Sequence, residues 1–162
     1  MKKKGNHQSS QPAAAQKESR PQRLDGAVRK HLRIGWLGPL LFLSLGIFLE
    51  TLHGFKVGLY LDVANSTRRF MWTLAHAHGT LLALVNLAFA FTVHLLPGWP
   101  TKGRSLASSS LLGATILMPA GFFLGGVFVY GGDPGLGIFL LPVGAVMLLI
   151  AVYKTAAGIK HA

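Results

Sequence analysis

His76 and His78 fall inside FMWTLAHAHGTLLALVNLAFAFTVHLL, an apolar run over residues 70–96 that is long enough to cross a membrane. An imidazole is costly in hydrocarbon, so its presence there implies a partner or a task. Glu50 and His53 close the preceding apolar run at about the same depth. Neutral imidazole can ligate a metal or handle a proton, and a neighbouring carboxylate can orient it. No other constellation in the chain could carry chemistry.

Spacing decides which of these side chains can act together. Glu50 and His53 are i, i+3 and share a helix face if the helix reaches that far. Di-iron bundle proteins use this Glu-x-x-His spacing, but they need two such motifs with further carboxylates, and this chain has one. His76 and His78 are i, i+2 and point about 160° apart, so they cannot hold one ion together. The candidate metal set is therefore Glu50, His53 and His76. The opposing reading makes the same histidines structural, each hydrogen-bonded across a helix bundle.

The elements that must position these residues follow from composition. The chain has 162 residues, 51% hydrophobic and only 13% charged, where a soluble domain carries about a quarter charged. From Ile34 onward only three acids remain, Glu50, Asp62 and Asp133. This is the composition of an all-α integral membrane protein. Cysteine is absent, which removes disulfides, iron–sulfur clusters and thiolate metal sites.

Four apolar spans are expected, over about residues 34–51, 70–96, 106–130 and 136–153. Unbroken apolar runs without period-two alternation exclude membrane strands. The connections PGWPTKGR and GGDPG are short and force antiparallel neighbours, giving a four-helix bundle over residues 29–162. Residues 1–28 are rich in Lys, Gln, Ser, Pro and Ala without an aromatic, and read as a disordered basic cytoplasmic tail. No short apolar segment follows the first lysines, so the tail does not read as a signal peptide.

Charge sets the orientation. Thirteen of the sixteen Lys and Arg fall on the side of the two termini and three on the other, which places both termini in the cytoplasm. The net charge of +11 is concentrated beside a membrane span. It points to anionic lipid headgroups rather than nucleic acid, since no stacking aromatics accompany it.

Within the bundle, Asn86 is expected to hydrogen-bond across helices near mid-membrane. Span three is a packing element, with Gly121 and Gly125 forming a G-x-x-x-G pair suited to close helix approach or a homo-oligomer. Pro119 removes one backbone hydrogen bond there. Met118 beside it reads as a core filler, although a thioether can also ligate haem iron.

Two resemblances rest on particular residues. Trp72 followed by His76, the Gly-rich third span and Pro142-x-Gly144 after a short loop resemble the small four-helix bacterial membrane proteins of the YgdD-like type. That resemblance implies a multi-pass protein of the bacterial inner membrane and no particular activity. The string LAHAHGTLLALV resembles the histidine-bearing helices of haem-copper oxidase catalytic subunits and their NnrS-like relatives. It implies that His76 or His78 ligates haem, with a second ligand from His53, Met118 or another chain.

The parts for catalysis are missing. There is no Ser-His-Asp set at one depth, no phosphate-binding Gly-rich loop with Lys, and no second intramembrane carboxylate. A transporter's internal repeat is not visible either. Two functions remain. The first is a structural or assembly subunit of a membrane complex. The alternative is a protein binding haem or a transition metal through its outer-half histidines, for electron transfer or cofactor delivery.

Overall fold

A computed structural model describes residues 25–62 and 66–160. The described residues fold into four helices, α1 (Gly26–Gly54), α2 (Thr67–Leu95), α3 (Thr101–Val127) and α4 (Leu140–Ile159), the last entered through a 3-10 turn at Leu136–Phe139. Four helices, with that turn counted into the last, are long and apolar enough to cross a membrane. Hydrocarbon offers backbone groups no hydrogen-bonding partner, and a helix satisfies them within a single segment.

The first helix begins eight residues before the expected span. Asp25 is its N-cap, its Oδ1 accepting from the Ala27 N–H at 2.8 Å. Its other carboxylate oxygen pairs with Arg104 at the start of α3, 3.1 Å away. Residues 26–28, read above as tail, are thus the first turn of α1, and Val28 is buried. The rest of that expected tail, residues 1–24, lies outside the described residues.

Each helix packs mainly on its neighbour in sequence, in the order α1–α2–α3–α4. Burial follows that order. The most apolar stretches of α2 and α3 are 39% buried and those of α1 and α4 only 11%. The main core cluster draws on all four helices near the starts of α1 and α3, with Val28, Phe89, Leu111 and Ala151 around Trp99. This end also carries Arg29, Lys30, Arg33, Lys102 and Arg104, and is called the basic end below.

The turns obey local rules. Tyr130 and Asp133 exchange both backbone hydrogen bonds around Gly131 (φ 56°) and Gly132 (φ 98°). Two successive positive φ values define a tight hairpin turn that glycine makes without strain. Pro142 sits in the first turn of α4, where no intrahelical N–H is required. Past the end of α1, Val57 N–H reaches Leu52 O and Lys56 N–H reaches His53 O, with Lys56 itself at φ 51°. That is the bond pattern of a Schellman cap, with lysine where glycine is usual.

Candidate functional site

The α1–α2 seam is built around small residues that let the helices approach closely. Gly35 lies against Leu87, Gly38 against Ala83, Gly46 against the His76 ring, and Gly79 against the Phe42 ring. A Cβ on Gly46 or Gly79 would overlap the ring opposite it. These pairs run in opposite directions along the two helices, as antiparallel neighbours require.

His76 uses this close approach. Its Nδ1 lies 2.6 Å from the Phe42 carbonyl on α1, and a carbonyl only accepts, so Nδ1–H donates. His78 turns the other way. Its Nδ1–H donates to Leu74 O one turn back on α2, at 2.9 Å, and its ring packs on Phe122 of α3 with centroids 4.6 Å apart. The divergence expected from i, i+2 spacing is therefore realised, one ring in each seam. Neither Nε2 carries a hydrogen bond among the described residues.

The remaining expected ligands are dispersed. Glu50 and His53 are exposed near the end of α1. His53 instead borders a polar surface hollow of about 660 Å3 with Lys56, Asp62, Ser66 and Arg69. Met118 packs against Gly144 of α4. Among the described residues no three His, Asp or Glu side chains come together as a metal-binding group. The G-x-x-x-G pair is also occupied: Gly121 faces Gly137 and Leu141, and Gly125 faces Pro134 and Ile138, so this face of α3 packs on the turn that leads into α4 and on the first turn of α4.

Sequence reasoning passed over the most enclosed polar group. His31 stands in RKHLR, which looks like a membrane boundary, yet it is fully buried. Its Nδ1 lies 2.6 Å from Asn86 Oδ1 on α2, and its Nε2 lies 2.8 Å from Ser108 Oγ on α3. Asn86, also fully buried, donates through Nδ2 to Leu82 O and to Thr115 Oγ1, both at 2.8 Å. Thr115 in turn donates to Leu111 O at 2.7 Å.

One proton assignment satisfies every group in this chain. Ser108 donates to His31 Nε2, His31 Nδ1–H donates to Asn86 Oδ1, and the amide and Thr115 donate onward. A neutral imidazole with both nitrogens engaged has no valence left for a ligand. Phe89 closes the remaining side, its ring centroid 4.5 Å from that of His31. The expected cross-bundle role of Asn86 is thus observed, and it joins three helices. A periodic signal did exist: Val28, His31, Gly35, Gly38, Phe42 and Gly46 recur at helical spacing and mark the face of α1 that meets α2.

The opposite end is tied by a cation and stacked rings. Arg68 donates from Nε to Gly126 O at 3.0 Å and from Nη1 to Leu59 O at 3.1 Å, covering the carbonyl end of α3 where a cation is favoured. Its guanidinium lies 6.0 Å from the centre of the Trp72 ring. Trp72 is stacked between Tyr60 and Phe123, with centroids 6.3 and 5.6 Å away. Tyr60 comes from the VGLYL stretch of the first loop and is buried. Compared with protein-family models, with curated proteins and with solved structures, the chain matches none of them.

Proposed function

We propose that this chain is a structural or assembly subunit of a larger membrane complex, set in a bacterial inner membrane with both termini cytoplasmic. The observation that carries the reading is where the polar side chains of the spans are engaged. His31, Asn86, Ser108, Thr115 and His76 hydrogen-bond between helices. Among the described residues no buried side-chain N or O atom lacks a partner. Polar groups used this way specify how helices pack and need no ligand. The thirteen-to-three charge bias supports the orientation. Large apolar side chains such as Trp36, Leu40 and Ile47 on α1 and Leu149 on α4 are more than 60% exposed, which suits faces that meet lipid or another subunit.

A second reading keeps a haem or a transition metal at the outer-half histidines. It is favoured by the Nδ1–H groups of His76 and His78, each held by a carbonyl, which leaves Nε2 as the lone-pair nitrogen of a neutral ring. The test is an absorbance spectrum and elemental analysis of the full chain, expressed with haem and metals available and purified in detergent. Colourless, metal-free protein that co-purifies with a membrane complex at fixed stoichiometry supports the subunit reading. A Soret band or stoichiometric metal that His76→Ala or His78→Ala abolishes, and His94→Ala leaves intact, would overturn it. Topology is tested separately: reporters fused at Ala162 and within residues 60–65 should report cytoplasm and exterior respectively.

A further inference from the structure

Between α1 and α3, with Ala75 of α2 as its floor, runs an open cleft of about 620 Å3. Its walls are Leu37, Leu41 and Leu45 on one side and Ile116, Ala120 and Phe123 on the other. Thr115 is the one polar residue lining it, and its hydroxyl is already engaged with Leu111 O and Asn86. From Ile34 to Leu45 the α1 wall extends about 16 Å along the helix axis. That matches the ~15 Å depth of one hydrocarbon leaflet.

The cleft does not end in neutral surface. At Ile34 it adjoins a smaller hollow of about 360 Å3 lined by Gly26, Arg29, Lys30 and Arg33, and Ile34 belongs to both. Lys30 lies one turn before Ile34, on the same side of α1 as Leu37 and Leu41. Asp25 pairs with Arg104, and none of these three cations has a carboxylate partner among the described residues.

We propose that this composite cleft is a binding site for one anionic phospholipid of the leaflet at the basic end. The phosphate sits among Lys30, Arg33 and Arg29, and an acyl chain lies in the α1–α3 cleft. A second copy of this chain suits the site poorly, because α1 to α4 offer no free acid at that depth. Asp25 is taken by Arg104, and Glu50 and Asp133 lie at the opposite end. A lipid supplies the negative charge and the unbranched chain in one molecule. The inference requires that the four helices lie in a bilayer, which the topology reporters test independently.

The experiment uses full-length protein, delipidated in detergent, with dioleoyl phosphatidylglycerol against dioleoyl phosphatidylcholine. Native mass spectrometry reads retention of each lipid. Phosphatidylglycerol should be held about thirtyfold more tightly, as expected for two basic side chains at a membrane surface. Lys30→Gln with Arg33→Gln should remove most of that preference, weakening phosphatidylglycerol more than phosphatidylcholine. Ala120→Phe, which fills the cleft, should weaken both lipids.

Lys102→Gln with Lys160→Gln removes the same charge from the same end outside the cleft, and should alter the preference less than about twofold. An equal loss in that control would mean diffuse surface attraction and overturn the proposal. A measurement on the unmutated chain guards against variants that fail to fold. Phosphatidylglycerol carrying a diazirine on one acyl chain should label α1 and α3 around Leu41 and Ile116. Labels spread evenly over the exposed face of α4, or cross-links joining two copies through Leu41, would sink the site.

Discussion

His31 at the basic end and His76 towards the opposite end both sit where α1 meets α2, yet the two regions hold together by different physics. Around His31 the helices are joined by a closed chain of hydrogen bonds in which both ring nitrogens, an amide and two hydroxyls are satisfied. Around His76 they are joined by close approach, with Gly46 and Gly79 admitting the His76 and Phe42 rings and one hydrogen bond to a backbone carbonyl. The difference lies in how many partners the ring has and how completely it is enclosed. A fully buried group must be fully bonded, and each missing partner costs its desolvation. A half-buried ring can leave one nitrogen unbonded, because that atom is not sealed from its surroundings.

The largest expected effect breaks the closed network. His31→Ala removes two hydrogen bonds, leaves Asn86 and Ser108 with buried unmatched groups, and opens a cavity beside Phe89. It should lower the unfolding free energy in mixed micelles by about 2–4 kcal/mol. A loss below about 0.5 kcal/mol would mean that the network contributes only what an average membrane hydrogen bond does.

The next effect attacks the other region through its close approach. Gly79→Leu forces the Phe42 ring aside and should cost about 1–3 kcal/mol by the same measurement. If it proved neutral, the glycine–ring packing could not be what holds that part of the seam.

Smaller still is the loss of the His76 hydrogen bond. His76→Ala should cost about 1 kcal/mol, and His76→Gln should stay within about 0.5 kcal/mol of wild type, since an amide N–H can donate to the Phe42 carbonyl. A cost for His76→Gln as large as that of His31→Ala would erase the contrast between the two ends.

The smallest effect has the opposite sign. Lys56 occupies a left-handed cap position that glycine adopts freely, so Lys56→Gly should raise stability by about 0.5–1 kcal/mol. A destabilisation would show that the Lys56 side chain contributes more than its backbone conformation costs.

Much of the architecture was legible from residue patterns. The spans expected at 70–96 and 106–130 correspond to α2 at Thr67–Leu95 and α3 at Thr101–Val127, and the GGDPG turn is where its glycines demand it. The start of α1 was missed because RKHLR looks like a boundary. Charge marks where a helix leaves hydrocarbon, while a cap marks where it begins, and Asp25 supplies that cap nine residues before Ile34. The candidate site was legible only in part. His76 and His78 diverge as their spacing requires, but Glu50, His53 and Met118 do not join them, because depth along a helix does not specify which face meets which neighbour.

What the sequence by itself determined is helix existence, order and approximate length. These depend on local properties: an unbroken apolar run lacks the period-two alternation of a membrane strand, and a helix satisfies its backbone groups within the segment. Whether a histidine is a sealed structural donor or a ring with a lone pair to offer was decided only by the tertiary structure. His31, Asn86 and Ser108 are 55 and 77 residues apart along the chain. They meet because glycines let α1 approach α2 closely enough for the polar faces of three helices to coincide at one level. That offset and rotation are set by side-chain packing across the seam, which no single helix encodes.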